Sequence, residues 1–548
     1  MRPSIARAPR SLRFVALASL ACALGVPALA QDVLIPAPLT QPGFLGPFNG
    51  AEFGQRIAAV GDLLVVGAPI AKSSAGDTGA AFVYRLSGAD WVLEAELLPS
   101  APQVGSRVGI DVDTDGQRVI VGADFADLDG AVDGEATGGA YIFEQVGGTW
   151  TEVAVLVPQL PDSNAQFGTA VAIDGDVALM ASEEGLRPVP VYRRDGSGAW
   201  NLEDQLLPPA ANPTSGFGVN VDVSGDRLML GASNVQKDGV DFVGAISWWQ
   251  FSNGTWVERA LLQPPAEPFL YSGLEFALEG DVLVVGHPFV STEGVASAGR
   301  VSVFEKVENG WDHTFLTDGP VLPFGQFGRS VDVDNGRLLV GQRAWNSLIP
   351  NEAGRIHLYE PVGSEWSRVR TELSPAVDLN DNFGDSVALV GDDALVGAPF
   401  ADAPFQNAGQ VWAFDVRPLT ASADPISLSA GGTQSFDLVG GTQRAGWIYL
   451  ISGSVTGTSP GTPVDGVVVP LVVDAYTLSL LTSIGGLPVP QSLGFLNGEG
   501  RATAELIVPA GTDPSLAGVI GYHAFLTIDP FQLVADFASN AVSVDLVP

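Results

Sequence analysis

Residues 111–116 read DVDTDG. Asp111, Asp113 and Asp115 alternate and end on Gly116, like the first half of a calcium loop. Such loops supply six to eight oxygens from alternate positions around a glycine turn. Counting Asp111 as position one, further donors are wanted at positions nine and twelve, but Val119 and Gly122 stand there. Calcium is thus a candidate ligand only if water or backbone carbonyls complete the shell, and an acidic tight turn is the simpler reading. A second acidic group, Asp127, Asp129, Asp133 and Glu135, lies in DFADLDGAVDGEATG at 124–138. It could gather a cation or a basic ligand, against a solvated acidic loop. Phe289 and Trp345 are candidates for sugar stacking or protein contact, against packing at the edge of a core.

Catalytic constellations are scarce. His287, His313, His357 and His523 have none of the spacings of a metal motif. His287 stands where other copies of a repeat have alanine and reads as a loop residue; His357 and His523 sit on strand-like runs. GTSPG at 457–461 matches GxSxG, but Pro460 follows the serine. A nucleophile elbow needs that backbone N–H for its oxyanion hole, so the stretch reads as a turn. Paired carboxylates for glycoside chemistry could exist in so acidic a chain, but sequence alone selects no pair.

Composition narrows the classes. Arg2, Arg7, Arg10 and Arg13 precede an apolar run from Phe14 to Val26, and Ala28-Leu29-Ala30 supplies a small-residue site. This pattern predicts a signal peptide, residues 1–30, cleaved before Gln31. A lipoprotein anchored through Cys22 is less favoured, because Ser19-Leu20-Ala21 is a poor lipobox. Cys22 is the only cysteine, so the exported chain would hold no disulfide and no cysteine-ligated metal. The net charge is −36; removing the four signal arginines leaves 22 basic against 62 acidic residues, a balance of −40. Such a surface argues against nucleic acid or anionic membranes as partners. No later run is long and apolar enough to span a bilayer, and the self-repelling charge suggests a monomer.

The elements that would position these residues come from internal repetition. FGQRIAAVGDLLVVGAP at 53–69 returns as FGTAVAIDGDVALMAS at 167–182 and FGVNVDVSGDRLMLGAS at 217–233. Further copies start at Gly273, Phe327 and Phe383, and VGIDVDTDGQRVIVGAD at 108–124 completes seven. The first glycines are Gly54, Gly109, Gly168, Gly218, Gly273, Gly328 and Gly384. Thirteen residues on stand Gly67, Gly122, Ala181, Gly231, Gly286, Gly341 and Gly397. Each copy continues with a third strand, such as GAAFVYR from Gly79. A fourth usually opens with tryptophan: Trp91, Trp150, Trp200, Trp256, Trp311, Trp366. Four short strands repeated every 55 residues or so read as propeller blades. The seventh copy lacks a fourth strand, and DVLIPAPLT from Asp32 is predicted to supply it and close the ring.

In this register DVDTDG is the ordinary turn between the first two strands of blade two, with Asp115-Gly116 as the hairpin pair. The Asp113 column reads Ala58, Asp113, Ala172, Asp222, Ala277, Asp332, Ala388. Acid or alanine there suggests a half-exposed inner position, or a shared polar feature near a central channel. The tight turns fall on one face and the long loops, including 124–138, 234–243 and 343–354, on the other.

These repeats resemble the FG-GAP family, found in the integrin α-subunit propeller and in many secreted bacterial proteins. The resemblance spans about residues 32–416. It implies an all-β fold with a seven-bladed β-propeller over 31–416, often with a recognition role and sometimes with calcium, and it does not imply an enzymatic activity. Residues 417–426, containing RPLTASADP, read as a linker. Residues 427–548 then read as an Ig-like β-sandwich of strands such as SFDLVGG, GWIYLISG, YTLSLLTS and HAFLTID. The expected function is secreted, non-enzymatic recognition or cell adhesion, binding an extracellular protein or glycan through the loop-rich face. The alternatives are a secreted glycosidase or lyase on a propeller, or a structural envelope or matrix component.

Overall fold

The computed structural model describes residues 39–40 and 50–548, apart from 89, 129–135, 160–164, 183–186, 209–215, 309, 317–321, 344–353, 363–364, 376–380, 403–406, 423–424, 442–443, 466, 499 and 532. Residues 1–38 with Cys22, and Asp129, Asp133, Glu135 and Trp345, lie outside the described residues.

Among the described residues the repeats form seven four-stranded antiparallel sheets, an architecture consistent with a β-propeller. Six are runs of four consecutive strands. In sheet one these are Arg56–Val60, Leu63–Ala68, Ala80–Ser87 and Asp90–Leu97. The seventh sheet combines Ser386–Val390, Asp393–Ala398 and Gln410–Asp415 with Leu39–Thr40, where Leu39 pairs with Val411 and Thr40 with Gln410. Second strands are mostly apolar, though Arg118, Arg227, Arg337 and Asp393 open four of them, and Leu63–Ala68 is buried throughout. Fourth strands alternate, as Thr149–Leu156 does, with one face turned to water. The first strands of successive sheets pack against each other in chain order, and that of sheet seven packs against that of sheet one.

The two glycine columns show why the repeat carries glycine there. The first column holds positive φ throughout, 88° at Gly54 and 86° at Gly384, a conformation that disfavours side chains. The second column touches the next sheet. A Cβ on Gly67 would lie 2.3 Å from the Gly109 carbonyl oxygen, one on Gly231 2.0 Å from that of Gly273, and one on Gly397 2.1 Å from that of Gly54. The last contact joins sheet seven to sheet one, and Phe53 bridges Gly409 beside it. Sheet three carries Ala181 in this column, and there the neighbouring Gly218 would meet the Val189 and Ala181 side chains rather than a carbonyl.

The hairpin of DVDTDG differs by one residue from the sequence expectation. The Asp115 N–H donates to the Arg118 carbonyl, which makes Gly116 and Gln117 the central pair. Asp115 flanks the turn and caps it: its Oδ1 accepts from the N–H of Gln117 at 2.8 Å and of Arg118 at 2.6 Å.

Beyond residue 416 the described residues build a three-stranded sheet, a larger sheet of five strands in line with a sixth (Ala535–Ala538) paired to one of them, and a two-stranded ribbon. The stretch read as a linker is not one. Leu419–Ala421 pairs with Gly432–Val439, Ile426–Ser427 pairs in parallel with Val542–Val547, and Leu419 is fully buried. YTLSLLTS, read as a strand, is the helix Ala475–Thr482. Asp474 caps it, accepting from the Thr477 N–H while Thr477 reaches back to the Asp474 N–H. Leu480 joins the core of both sheets, while Leu478 faces water. The alternation of T-L-S-L suited either period, and the capping box decided it.

This second module docks on sheet six. Arg501 donates to Glu372 Oε1 at 3.1 Å and to Asp437 Oδ2 at 2.7 Å, and Arg370 donates to the same Glu372 oxygen. Arg370 and Glu372 are buried. Removing one partner of a buried ion pair leaves charge unsatisfied. Arg501→Ala is expected to cost about 2–4 kcal/mol and to speed protease cleavage near residues 417–426. Unchanged cleavage would mean that the contact does not hold the module.

Candidate functional site

The first strands of all seven sheets line one cavity of about 450 Å³. Strand alternation turns every second residue inward, so the repeat columns become rings of side chains at successive depths. The middle ring is the Asp113 column. Asp113 Oδ2 accepts from the Ile173 N–H at 2.8 Å, Asp222 Oδ2 from Leu278 at 3.0 Å, and Asp332 Oδ2 from Leu389 at 2.7 Å. Each carboxylate thus reaches the first strand of the next sheet, where its own column holds Ala172, Ala277 or Ala388. The alternation of acid and alanine follows: a carboxylate needs a small neighbour to cross over. Seven is odd, so Ala388 and Ala58 fall side by side. Asp111 makes the same kind of link one ring away, accepting from the Val171 N–H at 2.8 Å.

These groups touch lumen space but are enclosed by protein, and desolvation dominates their titration. It raises Asp222 and Asp332 to about 7, Asp111 to about 6 despite Arg56, and Asp113 well above the usual range. A carboxylate whose pKa is raised on folding binds its proton more tightly when folded. Stability is therefore gained as pH falls from 8 towards the unfolded value and lost as pH rises through about 7. Asp222→Asn keeps the acceptor for Leu278 and removes the charge. The variant is expected to melt above the parent at pH 8, by a margin worth about 1–3 kcal/mol, with the gap narrowing below about pH 7 and closing at about pH 4. A constant gap across this range would contradict the assignment.

Towards the loop-bearing end the lumen is crossed by ion pairs. Arg56 of sheet one donates to Glu275 of sheet five at 3.4 Å and lies 3.7 Å from Asp111. Arg329 donates to Glu275 and Asp385, both at 2.9 Å, and Arg343 to Asp385 at 2.6 Å. The arginines beside Asp385 hold its pKa below the ordinary value, against desolvation. The network joins five sheets across the lumen and commits its carboxylates to guanidinium partners.

On the loop face itself, three connections form a platform. Phe242 comes from the loop between the second and third strands of sheet four, Phe269 and Tyr271 from the link to sheet five, and Phe289 from the corresponding loop of sheet five. Phe242 and Phe269 stack with centroids 6.0 Å apart and planes at 14°, while Tyr271 lies 5.4 Å from Phe242 and edge-on to Phe289 at 6.4 Å. Phe269 is 53% exposed, Phe289 41% and Phe242 38%. The loops are fixed from beneath. Tyr271 N–H donates to the Phe242 carbonyl at 2.9 Å, Ser272 N–H to Val243 at 3.0 Å, and Val243, Leu270 and Val290 form a small buried core. Phe242, Phe269 and Tyr271 all have positive φ, which bulky residues keep only where surroundings dictate it.

The sequence candidates separate accordingly. Phe289 belongs to the platform. Phe242 lay within a flagged loop without being singled out; Phe269 and Tyr271, in EPFLYSG, were missed, although three aromatic or aliphatic residues in a connection are a usable signal. Asp111 and Asp113 line the lumen and Asp115 caps its turn, so the three are bound to separate backbone partners. The Asp127 N–H and carbonyl pair with the Gln103 side chain. Among the described residues no three His, Cys, Asp or Glu side chains group as a metal site requires. His287 is no loop residue: it ends the strand Val282–His287, fully buried, with Nε2 2.7 Å from Ser302 Oγ, and burial lowers its pKa to about 3. GTSPG forms bends away from these sites.

Residues 376–414, covering most of sheet seven, match the FG-GAP repeat family. This stretch is similar to an FG-GAP repeat. No curated protein matches the chain. Among solved structures, that of a candidate 6-phosphogluconolactonase from Bacteroides uniformis ATCC 8492 is similar at 13% identity and a TM-score of 0.40, covering 58% of this chain and 85% of its own. The FG-GAP match falls on the sheet whose Gly397 meets Gly54. No helix among the described residues is long and apolar enough to cross a membrane.

Proposed function

We propose that the chain is an exported, non-enzymatic recognition or adhesion scaffold of the integrin-α-like FG-GAP kind. In this reading the seven sheets are the blades of one β-propeller closed by the N-terminal strand. The C-terminal sheets form a sandwich that serves as spacer or attachment module, and residues 1–30 direct export. The propeller binds an extracellular protein or glycan through its loop face. The observation that carries this reading is the platform of Phe242, Phe269, Tyr271 and Phe289: large aromatic surface left in water by loops that are otherwise tightly hydrogen-bonded. Aromatic anchors on a rigid scaffold are the usual core of a binding surface. The carboxylates of the lumen favour a scaffold over a glycosidase, because those described above are tied to backbone N–H groups or arginines.

The test is a screen of the exported chain against immobilised glycans and extracellular proteins, with turnover of glycoside substrates assayed in parallel. Saturable binding without turnover supports the proposal; turnover without binding would replace it with the enzyme reading.

A further inference from the structure

We propose that the C-terminal module joins two copies of this chain, edge to edge, through the strand Leu493–Phe495. The inference is independent of what the loop face binds. In the larger sheet beyond residue 416 this strand pairs with Ile448–Ser454 and has no strand on its other side among the described residues. Ile448 stands opposite Phe495, Tyr449 opposite Gly494 and Leu450 opposite Leu493. One step beyond each end, the Ile451 N–H donates to the Ser492 carbonyl and the Leu496 N–H to the Trp447 carbonyl. Bonded and unbonded pairs alternate in an antiparallel ladder, so Gly494 directs its backbone groups to Tyr449. Leu493 and Phe495 therefore turn their N–H and carbonyl groups outward.

Such an edge is a template for another strand, and proteins ordinarily blunt it with charge, proline or a cover. The neighbouring sheet follows that practice. Its edge strand Arg501–Val508 is covered by the stretch 488–491, where the Pro488 carbonyl accepts from the Ile507 N–H at 2.7 Å and Gln491 Oε1 from the Glu505 N–H at 3.3 Å. Leu493–Phe495 has no such protection. Residues 475–498 contain no Asp, Glu, Lys, Arg or His. This segment runs from the helix Ala475–Thr482 to the strand, both packed on Ile448–Ser454. Leu478, Ile484, Leu487 and Phe495 are exposed along it, Phe495 by 65%.

A second copy suits this segment better than other occupants. A chain with a net charge of −36 repels itself, but only ten of its 62 acidic residues lie beyond residue 416, and two uncharged segments meet with the least repulsion. Antiparallel pairing about Gly494 sets Leu493 of each copy against Phe495 of the other and gives every outward donor an acceptor. The two-fold symmetry also brings in each flanking apolar contact twice. A foreign strand would find three residues of edge without that duplication. A lipid surface would leave the outward N–H and carbonyl groups unpaired.

The experiment is sedimentation equilibrium of the full chain over micromolar concentrations at physiological salt, where a reversible dimer is expected. Phe495→Glu sets like charges near the two-fold axis, and Leu493→Pro removes an N–H that the strand's own neighbour does not use. Each should weaken the dimer about tenfold or more. Phe495 is exposed, so its variant should unfold like the parent monomer. Leu516→Glu, at an exposed leucine on the connection before Ile520–Ile528, should leave the dimer intact. An equal mixture of Phe495→Glu and Phe495→Lys chains should dimerise where neither does alone. A parent that stays monomeric, or a dimer that survives both Phe495→Glu and Leu493→Pro, would overturn the proposal. Binding of a monomeric parent to phosphatidylcholine vesicles, lost in Phe495→Glu, would overturn it in favour of a lipid surface.

Discussion

Gly397→Ala is expected to destabilise the protein by about 3 kcal/mol, as overpacking against an unyielding neighbour does. The added methyl would lie 2.1 Å from the Gly54 carbonyl oxygen and 2.3 Å from Ser386 Oγ. The serine can rotate, but the carbonyl lies just before the first strand of sheet one and cannot retreat without opening the contact between sheets seven and one. Gly397 has no positive φ, so the loss would report the contact and not backbone strain. The matched control is Ala181→Gly, where the chain already accommodates the methyl group; it should change stability by about 1 kcal/mol or less. Thermal and denaturant unfolding of both variants checks this. Similar, small effects at the two sites would mean that the glycine column does not serve sheet-to-sheet contact.

The second large effect concerns function. Phe269→Ala/Phe289→Ala should reduce affinity for a ligand found by screening about 100-fold, a loss of about 2.7 kcal/mol shared by the two aromatic anchors. The same change should alter unfolding much less than binding, because both rings are about half exposed and the buried core beneath them, Val243, Leu270 and Val290, is untouched. This split between binding and stability is what separates a recognition surface from the edge of a core. Paired losses of binding and stability would assign the rings to packing.

How much of this was legible beforehand depended on repetition. One copy of the motif says little, but seven aligned copies place every first strand, every tight turn and the two glycine columns. They also exposed the alternation of Asp113, Asp222 and Asp332 with alanine. Its cause, a carboxylate reaching the backbone of the next sheet, needs the distance between strands, which no single sequence contains. The ion pair of Arg56 and Glu275 is likewise invisible, joining residues four repeats apart that meet only because both face one lumen. Past residue 416 there was no repetition, and there the reading failed at the helix Ala475–Thr482 and at 417–426. At the helix a short apolar run suited two conformations and Asp474 made the choice, whereas at 417–426 a proline-containing stretch hid two edge strands, those of Leu419 and Ile426, whose partners come later in the chain. The platform was half legible for a similar reason: Phe289 sits in a loop that the register marks as exposed, whereas Phe269 and Tyr271 occupy a linking stretch that varies between copies.

The most direct test of the account is hydrogen–deuterium exchange on the full chain, free and bound to a protein or glycan recovered by the screen. Protection confined to segments around 240–243, 268–272 and 288–293, with the tight-turn face and residues 427–548 unchanged, is the predicted result. Protection on the tight-turn face or the C-terminal module, with these three segments unaffected, would contradict it.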